Sequence, residues 1–592
     1  MALGHRRLAI IDLDDRALQP MATADRRLWL IFNGEIYNYL ELREELRALG
    51  VAFRTDSDAE VLLTAYQAWG VAALHKLVGM FSFIVWDDAE KILFAARDRL
   101  GIKPLVYFSS SNGLALGSEI KQLMGLQGFS RRINLDRAHN FLESGVTDHT
   151  SDTMFADAFN LGPGCFLKLD LRTWQPGQPL LIKSYWKPPA PDGKTLSEAE
   201  AAGQFRALFM DSMRLHMRAD VRVGSCLSGG LDSSSIVGAQ AKMQLPGAVP
   251  FQTVSAVFPG ATVDESKFID SVVQFSGSEP TYVQLKPDDI FADAEAIIHA
   301  QDEPYGSTSI HAQYNVFKAA REQRVKVMLD GQGADEILGG YHGTFNYHYA
   351  SLVRQRRVFD LLVTLSERKR WHGIPMHEQM SGVMRGVSAR LGLAAPKADV
   401  STGGGWMSSE LLRGHAPAGA DLFEQALAAN GLDMPQTVGE YCVALTRAMS
   451  LPSLLRYEDR NSMAHSIEAR VPFLDHRLVE FALRLGDQHK IVGGDTKRVL
   501  RRAMADVLPP IVLNRRDKIG FATPEETWFK GPLRSQVEAG LEDTLKLYPG
   551  LLNAGATRAF AKQMLDGERP FDFSLWRIVI FGIWGRAMGM TY

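Results

Sequence analysis

Residues 226–235, "CLSGGLDSSS", gather two adjacent glycines, one acid and four serines into ten positions. The lead-in "DVRVGS" (220–225) alternates valines with polar residues and reads as a strand, while "SIVGAQAKM" (235–243) reads as a helix. A strand, a Gly-rich turn and a helix start point free backbone N–H groups and the positive end of the helix dipole at one spot, which makes an anion site. Gly229 and Gly230 let the main chain approach the anion, and Ser228, Ser233 and Ser234 add hydroxyl donors. Asp232 opposes a bare anion, so a phosphate accompanied by Mg²⁺ is the guest that suits every member of the set. No Gly-Lys-Ser/Thr opens the helix, which excludes the Walker-type loop. A capped turn would account for a lone Ser-Gly-Gly, but not for the whole string.

The 592 residues, 46% hydrophobic and 22% charged, suffice for two or more cores. A net charge of −3 gives no electrostatic case for nucleic acid or an anionic membrane. Cys165, Cys226 and Cys442 are the only cysteines and lack metal-ligand spacing, which suits a reducing compartment. No apolar run nears the ~18–20 residues of a membrane span, and the charged N-terminus is no secretory signal. A soluble cytoplasmic protein is expected.

"WKPPAPDGK" (186–194) is a Pro-rich connector. It sets a first unit over 1–185, a linker over 186–200 and a second unit over 201–592. The first is β-rich: "LWLIFNGEIYN", "MFSFIVWDDAEKILFAARD" with a hairpin turn at Asp87–Glu90, and "GCFLKLDL". In the second, strands such as "FQTVSAVF" and "VKVMLDGQG" alternate with helices, which argues for a parallel sheet. Residues 342–440 read as helical and irregular, with "STGGGW" (401–406) as a mobile loop.

Within "NGEIYNYLELREEL" (33–46), Asn33 beside the Gly34 N–H could form an oxyanion hole, and Glu35 could hold an ammonium. Taken alone, "NG" is only a turn, and "RTDSDAEVLL" (54–63) is only a helix cap.

Ser-Gly-Gly-Leu-Asp-Ser-Ser is the signature of the PP-loop ATP pyrophosphatases. "GHRRLAIIDL", "FNGEIYNY", "TDSDAEVLL", "LVGMFSFIVWD" and "ARDRLGIKPLVYF" together resemble the glutaminase domain of class II amidotransferases. Joined to the PP-loop, they make nearly the whole chain similar to the glutamine-dependent asparagine synthetases. The resemblance implies an α+β N-terminal-nucleophile glutaminase sandwich, here incomplete, followed by an α/β parallel-sheet PP-loop domain with helical insertions. It implies that Arg7 grips the glutamine carboxylate, Asn33 and Gly34 form the oxyanion hole, and Glu35 and Asp58 hold the ammonium. The family's N-terminal Cys nucleophile has no counterpart, because "MALGHRRL" begins at what resembles the family's third strand. Either the chain starts late or this half no longer hydrolyses glutamine. The presence of Arg7, Asn33, Glu35 and Asp58 favours the late start.

For the second unit, the resemblance implies an ATP site made by Leu227, Ser228, Gly229, Gly230, Asp232, Ser233 and Ser234, with Ala256 or Val257 against the base. Asp330 and Gly331 would lie near the ribose and adenine. Asp232 and Asp335 would hold Mg²⁺, and Lys497 would reach the phosphates. "QDEPYGSTSI" (301–310) and "LDGQGADEILGGY" (329–341) are expected after the second and third parallel strands. Arg456, Glu468 and Arg470 are expected to form one ion-pair network. The implied substrates are ATP, aspartate and glutamine or ammonia, and a homodimer is compatible with the reading. The family's "SGEGSDE" is "DGQGADE" here, with Gln332 at the glutamate position. An amide cannot take a proton, so another group must accept the one lost when ammonia attacks, released pyrophosphate being one candidate. Related enzymes close other amides, so a different carboxylate is the alternative substrate.

Overall fold

The computed structural model describes residues 1–192, 196–243, 249–390, 405–412, 422–517 and 520–592. Residues 401–404 of the expected mobile loop and 193–195 of the connector lie outside them.

The first unit holds strands β1 (Met21–Ala22), β2 (Leu28–Ile36), β3 (Gly79–Asp87), β4 (Ile92–Arg97), β5 (Val106–Ser110), β6 (Gly113–Gly117), β7 (Phe159–Asn160), β8 (Cys165–Asp170) and β9 (Ile182–Ser184). β1-β2-β3-β4-β8-β9 form an antiparallel sheet, and β6-β5-β7 form a smaller one. Strand alternation sorts the two faces. Phe81, Phe83, Val85, Phe94 and Ala96 face Leu42, Leu46, Leu62 and Leu63 of helices Tyr39–Ala48 and Asp58–Trp69. Ile84, Trp86, Leu93 and Ala95 turn the other way and pack with Leu105, Leu114 and Leu116 beside the smaller sheet. The hairpin turn is held by Asp87, whose Oδ1 accepts the N–H groups of Ala89 and Glu90 at 3.1 and 3.0 Å.

Strands β10 (Val223–Cys226), β11 (Gln252–Val257), β12 (Glu279–Gln284), β13 (Val327–Leu329) and β14 (Glu468–Arg470) make a parallel sheet ordered β12-β11-β10-β13-β14. The chain winds outward from β10 to β12 and returns to β13 on the other side. Its topological switch therefore falls between β10 and β13, where ligands of open α/β sheets bind. Residues 329–341 thus follow the fourth strand, not the third. Residues 301–310 follow helix Ala294–Gln301 rather than the second strand. The unexpected strand is β12, an edge strand of exposed and half-buried residues whose second position is Pro280, so it lacks an apolar run. Nearly every residue of the last helix, Ser574–Met588, is buried, including Trp576 and Trp584, as its all-round apolar sequence dictates.

The connector is docked along the second unit. Trp186 Nε1 donates to Glu480 Oε1 at 2.7 Å, and Pro191 packs so closely on Gly439 that a Cβ there would lie 2.8 Å from its Cγ. The following helix, Glu198–His216, starts at Ser197 with a capping box to Glu200, inside the expected linker.

Candidate active site

The carboxyl ends of β10 and β13 open onto a cavity of about 370 Å³. On the β10 side, Ser233 Oγ accepts the Ser228 N–H at 3.2 Å, and Ser228 Oγ accepts the Gly230 N–H at 3.4 Å. Gly229 has φ +73, and a Cβ there would sit 2.7 Å from Phe268 Cβ. The position needs glycine for conformation and for space. On the β13 side, a Cβ on Gly331 would lie 3.0 Å from both Asp232 Cβ and Ser233 N, so the two loops meet backbone to backbone.

Lys497 reaches into this junction from the start of helix Arg498–Ala503. Its Nζ stands 2.5 Å from Asp232 Oδ2 and 2.5 Å from Asp335 Oδ1. Burial alone would depress the ammonium's pKa, but the two carboxylates overcome that and hold it above its usual range. Arg501, Arg515 and Arg516 also line the cavity. Burial, helped by the neighbouring Arg516 charge, pushes Arg501 down to about 10. Arg515 pairs with Glu265 at 2.5 Å, donates to the Gly229 carbonyl at 3.3 Å and lies 3.9 Å from the Phe268 ring centroid. Four cations, serine hydroxyls and a glycine turn around one cavity suit a polyphosphate.

A second, smaller cavity of about 70 Å³ is lined by Arg7, Asn33, Gly34, Glu35 and Asp58 of the first unit, all expected together, and by Met463 and Glu468 of the second. Gly34 has φ +142, and a Cβ there would fall 2.1 Å from the Met80 carbonyl oxygen. Asp58 Oδ2 accepts the Ile36 N–H at 3.0 Å, and burial lifts its carboxyl to about 6. Glu35 is raised by burial and then by Asp58 beside it.

Two residues are engaged otherwise than expected. Arg7 donates to the carbonyls of Ile11 and Asp14, each at 2.9 Å, and to that of Asp12. Glu35 Oε2 accepts from Arg470 of the second unit at 3.0 Å. Arg470 is fully buried and also meets Glu468 Oε1 at 2.7 Å. Its own carbonyl accepts the Asp330 N–H at 2.8 Å, so one residue touches both sites. Arg456 stands apart from this network and pairs with Asp148 at 3.0 Å and Glu303 at 3.6 Å. The "ARDRLGIKP" segment presents Lys103 to this cavity and pairs it with Asp459 of the second unit at 2.8 Å. None of the three cysteines lines the second cavity.

Residues 204–586 match the family model described as asparagine synthase, and residues 1–186 match a glutamine amidotransferase domain. The chain belongs to the asparagine synthase family. It is 31% identical over 599 residues to asparagine synthetase [glutamine-hydrolyzing] 1 of Bacillus subtilis, covering 99% of this chain and 89% of that protein. A putative asparagine synthetase [glutamine-hydrolyzing] of Mycobacterium tuberculosis is 31% identical over 606 residues, covering 99% and 88%. Amidase chry2 of Gibberella zeae is 26% identical over 581 residues, covering 91% and 83%.

In this member of the family, Leu227, Ser228, Gly230, Asp232, Ser233, Ala256, Asp330, Gly331, Gln332, Asp335 and Lys497 line the larger cavity, whereas Gly229, Ser234 and Val257 do not. Val257 falls on the face of β11 opposite Val254 and Ala256, so Val254 is the lining residue the sequence reading missed. Ser234 is fully buried within the helix start. Arg515 and Arg516 were missed too, although "NRRDK" (514–518) was a visible signal. Among the described residues no cluster of three or more His, Cys, Asp or Glu could hold a metal. Asp232 and Asp335 nevertheless fit Mg²⁺, a hard cation that takes one or two carboxylates and completes its shell with phosphate and water.

Proposed function

We propose that the chain joins ammonia to the β-carboxylate of L-aspartate with ATP, giving L-asparagine, AMP and pyrophosphate through a β-aspartyl-AMP intermediate. The observation that carries this reading is the convergence of Asp232, Asp335 and Lys497 at the sheet's switch point. The loop N–H groups and serine hydroxyls after β10 would cradle the leaving pyrophosphate, with Lys497 and Arg515 neutralising its charge. Asp232 and Asp335 would hold Mg²⁺, which when bound supplies further charge neutralisation on the phosphates. Val254 and Ala256 would lie against the base, and Asp330 and Gly331 near the ribose.

The first unit, residues 1–185, we read as the N-terminal-nucleophile glutaminase sandwich, with Asn33 and Gly34 as its oxyanion hole and Asp58 facing the glutamine ammonium. Its pocket carries no thiol from this chain, so ammonia is the nitrogen donor to use in the test. Purified chain with ATP, Mg²⁺ and ammonia is offered aspartate and a panel of other carboxylic acids, and AMP, pyrophosphate and amide are measured. Amide from aspartate in step with pyrophosphate supports the reading. Amide from another acid alone would refute the substrate and keep the reaction type. That alternative is favoured by Gln332 and by the likeness to a protein named an amidase.

A further inference from the structure

Gln332 raises the question of where the proton goes when ammonia becomes an amide nitrogen. A carboxylate stands directly behind the residues that line the cavity. Glu458 sits on helix Leu451–Ala464, whose Leu454 and Tyr457 line the same cavity, and it is only 2% exposed. Its Oε1 is buried without a hydrogen-bond partner, and the Gln332 amide and the Asp330 carboxyl stand beside it.

The orientation of Glu458 is set from behind by three buried amides. Gln301 Nε2 donates to Asn461 Oδ1 at 2.9 Å, Asn461 Nδ2 donates to Gln313 Oε1 at 2.9 Å, and Gln313 Nε2 donates to Glu458 Oε2. Asn461 and Gln313 each accept through the oxygen from the amide behind and donate through the N–H₂ to the group ahead. The last donor therefore meets Oε2 as an acceptor and leaves the other oxygen toward Gln332 and Asp330. A carboxylate kept only for packing would need no such chain, and an apolar residue would fill the place at lower desolvation cost.

We propose that Glu458 is the proton acceptor of the nitrogen-transfer step, with Gln313 positioning it beside Gln332. Resting on the reading above, the step is balanced as follows. The ammonia lone pair forms the C–N bond to the acyl carbon of the aspartyl-AMP, and the carbonyl π pair moves to its oxygen. One N–H proton passes to Glu458, the C–O bond to phosphate breaks as the carbonyl re-forms, and AMP departs.

The groups facing Glu458 are Asp330 after β13, Cys226 at the end of β10 and Asp459 on its own helix, with the neutral amides of Gln313 and Gln332. Burial first, and then Asp330, push its pKa well above the carboxylate range. That makes it a stronger base than a solvated glutamate when ionised.

The test separates the two half-reactions. Glu458→Gln is compared with the parent for acid-dependent ATP–pyrophosphate exchange, which needs no ammonia, and for amide formation. The acid is whichever one supports exchange in the parent. Failure of aspartate there would sink the substrate reading alone. Exchange is expected within about threefold of the parent, with the ammonia step slowed about 10²-fold or more. Hydroxylamine, a weaker base whose adduct nitrogen gives up its proton more readily, is expected to restore part of the lost rate. Glu458→Asp is expected to be at least about tenfold faster than the Gln variant. In the parent, the transfer rate at saturating ammonia falls on acidification as Glu458 protonates, and that limb is absent from the Gln variant. Ammonia-dependent amide formation by Glu458→Gln within threefold of the parent would overturn the proposal. So would equal rates for the Asp and Gln variants, or exchange and transfer lost together in a folded variant.

Discussion

Gly340 offers a strict test of the larger site, because its backbone is unstrained while its surroundings leave no room. A Cβ at this position would stand 1.8 Å from Asp335 Oδ1 and 2.3 Å from Lys497 Cε, whereas ordinary contact begins at 3.4 Å. Gly340→Ala must therefore push the carboxylate by roughly 1.6 Å, or share that shift with the lysine stem. Displacements of about 1 Å at a reacting centre cost about 10²-fold in rate. The overpacking itself costs about 1–3 kcal/mol of stability. Pyrophosphate release is expected to fall about 10²-fold, with a folded protein whose thermal midpoint drops only modestly. The assay is continuous pyrophosphate detection at saturating ATP, aspartate and ammonia. A Gly340→Ala enzyme within twofold of the parent would mean that the Asp335–Lys497 contact is incidental to catalysis.

Asp232→Ala is expected to abolish pyrophosphate release, because phosphate charge loses the carboxylate that would hold its cation; release at the parent rate would refute the assignment. Arg470→Met leaves Glu35 and Glu468 buried without their shared cation and is expected to cost about 3–5 kcal/mol in urea unfolding; a loss under about 1 kcal/mol would contradict this ion-pair account. Burial lifts Asp58 from 3.8 to about 6, so the folded chain holds that proton more tightly than the unfolded one. Its stabilising contribution is full below pH 3.8 and lost as pH rises through about 6. Asp58→Asn is expected to flatten that part of the thermal midpoint's pH profile, and an unchanged slope would show that another group carries it.

The parts of this molecule legible from the sequence are those where chemistry is written into consecutive residues. Ser228 to Ser234 announce a phosphate loop because the backbone itself does the binding, and few sequences combine such glycines and hydroxyls for another purpose. Strands β3 and β4 read as nearly continuous apolar runs because each of their faces meets a different core. β14 is three residues, Glu-Ala-Arg, and nothing apolar marks it. Its burial rests on charges paired with Glu35 on the other unit, a partnership 435 positions away. The same distance effect misdirected Arg456. Neighbours in sequence suggested Glu468 and Arg470, but the helix turns Arg456 toward Asp148 and Glu303. Ala256 and Val257 stay open alternatives for the base until β11's register is known, and the register selects Ala256 together with Val254. Arg515 and Arg516 look like a solvated basic run until the fold brings Arg515 onto the Gly229 carbonyl and Arg516 to the cavity lining.

Arg470 gives the two units a common hinge pin, and it limits how they can be recombined. A chimera keeping residues 1–186 and borrowing its second half elsewhere would carry Glu35 into the new protein without the cation that matches it, unless the donor strand offers an arginine at the same depth. The cut at the Pro-rich connector is convenient on paper, since it falls between two motif-defined regions. In three dimensions it leaves Glu35 in the first fragment without its cation, and Arg470 in the second with Glu468 alone. Exchange of nitrogen-donor modules among such chains is thus a transplant of matched pairs, in which the tail of the polypeptide decides which heads it will accept.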